Sequence, residues 1–197
     1  MYVNGVLVSS NSDFKAVARQ QLTNNWLQAV IVCFIYSAIM SAAGSIAGIG
    51  ALIVGGPLTF GLCVYFINLQ KSENAEIENL FVGFRHFENS LILYLLTALF
   101  TFLWSLLFII PGIIAALSYS MSFYILADNP NLSGMEALEK SKQMMQGHKG
   151  RLFCLFLSFI GWFILSMLTF GIGFLFLYPY IQASVVNFYT DLKTRNY

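Results

Sequence analysis

The sequence predicts an all-α integral membrane protein: about six transmembrane helices arranged as three hairpins, each hairpin preceded by a cytoplasmic amphipathic helix. Three observations predict it. Hydrophobic residues make up 58% of the 197-residue chain and charged residues 10%, with a mean hydropathy of +0.72. An ordinary globular domain carries about 25% charged residues, and too few polar side chains remain here to cover a soluble surface. Second, the charged residues fall in four clusters separated by charge-free stretches at 20–70, 89–127 and 152–190. Third, every group of turn residues lies near the middle of one of those stretches: Gly48 to Pro57, Pro111-Gly112, and Gly171 with Gly173. A single helix of 39 residues would extend about 58 Å, nearly twice a hydrocarbon core of about 30 Å. Two helices joined by a tight turn fit instead.

Taken in chain order, residues 1–12 read as a flexible N-terminal extension, and 13–197 as a single six-span membrane domain. The extension lacks the basic start and long apolar run of a signal peptide. Cleavage after Ser41-Ala42-Ala43 would require an unusually long lead. Phe14, Val17, Ala18 and Leu22 share one face of a first amphipathic helix, with Ser12 as N-cap. The first hairpin follows at 26–47 and 51–70, where Pro57 should kink the second span or delay its start. Ile77, Leu80, Phe81 and Phe84 form the apolar stripe of a helix over 74–87, opposite Glu76, Glu78 and Arg85. The second hairpin occupies 90–109 and 111–127, with Pro111 at the first position of its second helix. Ser133-Gly-Met-Glu136 is a capping-box pattern, and Gly147 is the stop for that third amphipathic helix, whose stripe is Met135, Leu138 and Met145. The third hairpin spans 152–168 and 172–190, with a bend expected at Pro179.

Hairpins place all four charged clusters on one side of the membrane. Since every Lys and Arg is there, that side is assigned to the cytoplasm, together with both termini. Re-entrant hairpins, entering and leaving one leaflet, are the alternative; length narrowly favours crossing. The amphipathic helices would lie along the headgroups or pack beneath the bundle. Hydropathy repeats three times, but residue identity hardly does. The best match is an aromatic pair near the cytoplasmic end of each hairpin, Tyr65-Phe66, Phe123-Tyr124 and Phe188-Tyr189, as expected of an interfacial belt.

The chain offers little chemistry. Its spans contain no charge, its two histidines, His86 and His148, lie far apart in cytoplasmic segments, and no metal-binding, nucleophile or phosphate-loop motif occurs. No enzyme activity, metal or cofactor is expected, and the balance of 10 Lys+Arg against 9 Asp+Glu excludes a nucleic-acid binder. Cys33, Cys63 and Cys154 read as packing residues. The Gly44–Gly48 GxxxG motif, with Ser37, Ser41 and Ser45, favours close helix packing within the chain, or a homo-oligomer. Ser118, Tyr119, Ser122, Asn68, Gln182 and Asn187 lie at similar depth and would either line a polar cavity or bond to neighbouring helices. Lys140, Lys142, Lys149 and Arg151 would contact lipid headgroups or merely orient the third hairpin.

One pattern is more specific. Ile109-Ile-Pro-Gly-Ile-Ile114, Ser118-Tyr119, Tyr124-Ile-Leu-Ala-Asp128, Glu136-Ala-Leu, Ser141-Lys142, Met145-Gln-Gly147, Leu157-Ser-Phe-Ile-Gly-Trp162, Gly171-Ile-Gly173, Pro179-Tyr180 and Phe188-Tyr189 resemble the domain-of-unknown-function 975 family. The likeness covers most of 13–192, including Asp13-Phe-Lys15, Asn25-Trp26 and Gly56-Pro57-Leu58. It implies a multi-pass protein of the bacterial plasma membrane and is distantly similar to a membrane domain accompanying some glycerophosphodiester phosphodiesterases. No catalytic residue is implied. The expected function is a non-catalytic scaffold or accessory subunit that binds membrane lipids, a partner membrane protein or a second copy. The alternative is a carrier or flippase-like transporter of a lipidic or apolar substrate.

Overall fold

The computed structural model describes residues 2–3, 6–7, 10–45, 49–73, 75–169 and 171–195. Among them a two-residue antiparallel pairing, β1 (Tyr2–Val3) with β2 (Val6–Leu7), precedes an otherwise all-helical chain. The remaining residues of 1–12 that the expected flexible extension included (1, 4, 5, 8 and 9), and Gly48 of the GxxxG motif, lie outside the described residues.

The helices follow the hydropathy closely. They are α1 (Asn11–Leu22), α2 (Trp26–Ser45), α3 (Ile49–Lys71), a 3-10 helix (Ile77–His86), α4 (Phe87–Leu107), α5 (Ile109–Tyr119), α6 (Ser122–Asp128), α7 (Gly134–Met144), α8 (Lys149–Leu157), α9 (Ile160–Leu168) and α10 (Ile172–Arg195). Five segments are long and apolar enough to cross a membrane: Trp26–Ser45, Gly50–Lys71, Ile77–Leu107, Ile109–Asp128 and Lys149–Leu168. α10 has the length, 24 residues, but is not among the five. Its second half carries Gln182, Ser184, Asn187, Thr190 and Asp191, which turn inward.

Local chemistry explains the ends. α1 is capped from Ser10 rather than Ser12, because Asp13, three residues on, accepts the Ser10 N–H at 2.9 Å. The capping box of α7 forms as its sequence implies: the Glu136 carboxylate accepts the Ser133 N–H at 2.8 Å, and Ser133 Oγ accepts the Glu136 N–H at 3.3 Å. α7 ends at Met144, and Gly147, at φ +75°, carries the chain out through a left-handed turn. Pro57 does not delay α3, which runs through it from Ile49. Pro111 sits in the first turn of α5, where a missing N–H leaves no bond unmade.

Two expected spans are each divided. Between α5 and α6, Ser141 of α7 inserts into the helical ladder: its Oγ accepts the Met121 N–H at 3.2 Å and donates to the Ser118 carbonyl at 2.8 Å. Between α8 and α9, the Ser158 carbonyl accepts Lys15 Nζ at 3.3 Å.

α3 is the central rod. It is packed by α2, the 3-10 helix, α4, α6 and α10, and buries Leu58, Phe60, Leu62, Tyr65, Phe66 and Leu69. The 3-10 helix lies directly along it. A Cβ on Gly61 would overlap the Leu80 carbonyl, and one on Gly83 would overlap that of Pro57. This close approach admits no side chain at either glycine. The stripe read from sequence is therefore split: Leu80 is buried on α3, whereas Ile77, Phe81 and Phe84 face outward. All six residues of the three aromatic pairs are buried too, as core rather than as an outward belt. The exposed apolar surface instead covers the outer faces and the hairpin tips, with Phe108 73% and Leu168 78% exposed.

Candidate functional site

At the charged end, three clusters distant in sequence meet. Asp128, at the end of α6, accepts Lys193 Nζ at 2.6 Å and Tyr189 Oη at 2.7 Å, with Lys71 Nζ at 3.6 Å. Asp191 is fully buried; both its oxygens accept Arg195 Nε at 3.0 Å, and Oδ2 also takes Arg151 Nη2 at 3.0 Å. The Arg151 guanidinium lies 5.5 Å from the Phe188 ring centre and 5.8 Å from that of Phe14. Two buried carboxylates thus tie α3, α6, α8 and α10 together by charge-assisted bonds. Asp191 looked in the sequence like one more residue of a polar segment, and Asp128 entered only as the end of the Tyr124–Asp128 family pattern. Their apolar neighbours, Leu126 and Leu192, were the available signal.

The polar residues of the spans do not surround one void. Ser118 donates to the Ile114 carbonyl at 2.6 Å and Ser122 to that of Tyr119 at 2.7 Å, so these hydroxyls bond within their own helix. Tyr119 packs its ring on Phe100 at 6.2 Å. Gln182 accepts from Tyr124 Oη at 2.9 Å. Asn187 and Gln21 exchange two side-chain hydrogen bonds, at 2.9 and 3.2 Å, joining α10 to α1. Asn68 is half-buried, and its carbonyl takes the Glu73 N–H. Of the basic residues read as headgroup contacts, Arg151 is committed to Asp191, whereas Lys142 is exposed and Lys149 half-buried. Lys140 faces Lys193 across a cavity of about 570 Å³ also lined by Ile125, Asn129, Gln143, Met144 and Tyr189.

A different feature was not legible in the sequence. α1 packs on α10 and α8, and a groove of about 260 Å³ opens between α1, α9 and α10, lined by Arg19, Trp26, Trp162, Leu165, Ser166, Thr169, Gly173, Phe176, Leu177 and Tyr180. Arg19 is its one charged residue, with the guanidinium 5.9 Å from the Tyr180 ring centre. Lys15, one turn earlier on α1, holds its ammonium 4.9 Å from the Phe159 ring centre. Those two rings meet edge to face at 5.3 Å. The spacing of Lys15 and Arg19, i and i+4, was the only signal of this pair in the sequence.

Among the described residues no three His, Cys, Asp or Glu side chains come together as a metal site. Outside the spans, Glu76 lies beside Glu78, whose hydrogen bond and negative charge hold the Glu76 carboxyl above the usual range. The Ser133 backbone and side-chain bonds hold Glu136 below it.

No curated protein matches this chain, and no solved structure does. A family model described as "Protein of unknown function (DUF975)" matches residues 7–118 and 106–196. Residues quoted for the resemblance also meet in space: Ser118 with Ser141, and Asp128 with Tyr189. With the two matched segments running through nearly the whole chain, this protein belongs to the domain-of-unknown-function 975 family.

Proposed function

We propose that this chain is a non-catalytic scaffold or accessory subunit of the bacterial plasma membrane, which binds membrane lipids or a partner membrane protein. Its six apolar rods pair as three hairpins, with both termini and all four charged clusters on the cytoplasmic side. The observation that carries this reading is the meeting of Lys71, Asp128 and Lys193 in one ion-pair cluster. Those residues come from three different charged segments, and a water boundary shared by all three is the least costly place for them. The outward apolar faces and tips, at Trp104–Ile110 above all, suit acyl chains or another membrane helix.

Transport finds less support. A carrier needs polar groups free to face a path, and Ser118, Ser122 and Asn187 are each spent on hydrogen bonds inside the protein.

Two experiments test the reading. With Cys33, Cys63 and Cys154 replaced, single cysteines at Glu78, Lys140 and Phe108 are challenged with an impermeant maleimide in right-side-out and inverted vesicles. Glu78→Cys and Lys140→Cys should label only in inverted vesicles; labelling from opposite sides overturns the topology. Gentle solubilisation should return a reproducible partner or retained lipid, and repeated isolation of a bare monomer counts against the scaffold. Lipid flux above that of empty liposomes would favour the carrier.

A further inference from the structure

We propose that the groove between α1 and the third hairpin is a binding site for one anionic phospholipid, with an acyl chain in the groove and the phosphate on Arg19 and Lys15. The inference rests on the lipid-binding reading above and assigns it a site.

The groove offers a ligand mainly two kinds of contact. Its walls are aromatic and aliphatic, and the hydroxyls of Ser166 and Thr169 are already used. Ser166 donates to the Trp162 carbonyl at 2.8 Å. Thr169 Oγ1 donates to the Ser166 carbonyl at 2.9 Å and accepts the Gly173 N–H at 3.0 Å. What remains is mostly hydrocarbon and aromatic surface, with the Tyr180 hydroxyl, two indole N–H groups and one guanidinium. At about 260 Å³ it lies just below the range of drug-sized sites, room for a length of alkyl chain but not a whole lipid. The headgroup must therefore sit at the rim, where the cations are.

Charge decides which headgroup. Arg151, Arg195, Lys71 and Lys193 all have carboxylate partners, whereas among the described residues neither Lys15 nor Arg19 has one within ion-pair distance. Both are held in place by ring faces instead, an arrangement that fixes the cation without neutralising it. Lys15 spends a single N–H on Ser158 and keeps two. Two positive charges over two adjoining rings make a fixed net-positive rim. A phosphodiester satisfies the planar guanidinium bidentately. A zwitterionic headgroup brings its own cation to the same rim and forfeits most of the attraction, so selectivity for net-anionic lipid follows. Trp162, Leu165 and Phe176 are about half exposed, which leaves the groove open laterally to the bilayer.

The tryptophans supply the test. The chain has three, Trp26, Trp104 and Trp162, two of which line the groove. In a Trp104→Phe background, quenching of the remaining fluorescence is titrated in detergent with brominated phosphatidylglycerol or brominated phosphatidylcholine. The anionic lipid should half-saturate at about fivefold lower concentration per cation engaged, following about 1 kcal/mol for each Lys or Arg near a charged lipid surface. Arg19→Gln with Lys15→Gln should abolish that preference, Arg19→Lys should keep part of it, and Arg85→Gln, at an exposed cation elsewhere, should leave it intact. Equal half-saturation by the two lipids overturns the proposal, as does a preference that survives the double substitution in protein whose melting temperature is unchanged. If the double variant does not fold, Leu165→Trp, which fills the groove while keeping both cations, decides: quenching by the anionic lipid should fall, and unchanged quenching overturns the site. Either failure leaves the scaffold reading standing if a partner still co-purifies, so the two are told apart.

Discussion

Asp191 has no accessible surface in a protein that is 58% hydrophobic. It is tolerated because two guanidinium groups converge on it, that of Arg151 lying against the Phe14 and Phe188 rings. Removing one partner of such a pair strands the other. Arg151→Ala should cost about 3–5 kcal/mol, read from the denaturation midpoint in detergent. A loss under about 1 kcal/mol would mean that Arg195 alone suffices. Glycine matters at this scale where two backbones meet. Gly61 and Gly83 face carbonyls across the contact between α3 and the 3-10 helix, and a methyl group at either would force the two backbones apart. Overpacking of this kind costs about 1–3 kcal/mol, so Gly83→Ala should lower the midpoint by that amount. Gly147→Ala, with open space around it, should cost only the strain of its positive φ.

At the level of elements, the junctions are the informative parts. Ser141 makes the break between α5 and α6, because one hydroxyl both accepts the Met121 N–H and donates to the Ser118 carbonyl. Ser141→Ala leaves a buried N–H without its acceptor and should cost about 1–3 kcal/mol. The end of α7 has its own pH dependence. Glu136 titrates below the ordinary range because the charged form accepts the Ser133 N–H and hydroxyl. Its contribution is therefore complete above the unfolded pKa and is lost as pH falls through the depressed folded pKa. Ser133→Ala should raise the Glu136 titration midpoint, followed by the side-chain carboxyl carbon resonance. A midpoint that does not move would mean that the capping box is unoccupied in solution. Glu136 is also part of a helix that packs on α4 and α6, so acid should loosen this layer before the spans.

For the whole molecule, the exposed apolar side chains and the ion pairs occupy different parts of the protein. The turn between α4 and α5 exposes large apolar side chains at Leu106–Ile110 and meets part of its own backbone demand: the Phe108 N–H bonds to the Trp104 carbonyl, and the Gly112 N–H to that of Phe108. The same segregation makes salt a selective probe. The Asp128 cluster is partly open to water through Lys71 and Lys193, whose side chains are 45% and 43% exposed. Screening should weaken it more than the Arg151–Asp191 pair, whose Arg151 side chain is 28% exposed.

Most of the helical rods could be located from hydropathy and turn residues alone, because a low-dielectric surround penalises charge and open backbone so heavily that composition has few solutions. The capping box at Ser133, the stop near Gly147 and the family were legible for a related reason: each depends on residues close together in the chain, or on short motifs. Only the tertiary structure decided which faces turn inward. Nothing local distinguishes Leu80 from Phe81, or the aromatic pairs of an interfacial belt from those of a core. That choice is made by whichever rod lies alongside, here α3 with its bare glycine. The same holds for contacts between residues distant in the chain. Asp128 meets Lys71 and Lys193 across 57 and 65 residues of chain, and Arg19 gains its groove only because α1 packs on α10. Electrostatic and packing energies depend on distance in space, which a linear sequence encodes only through the completed fold.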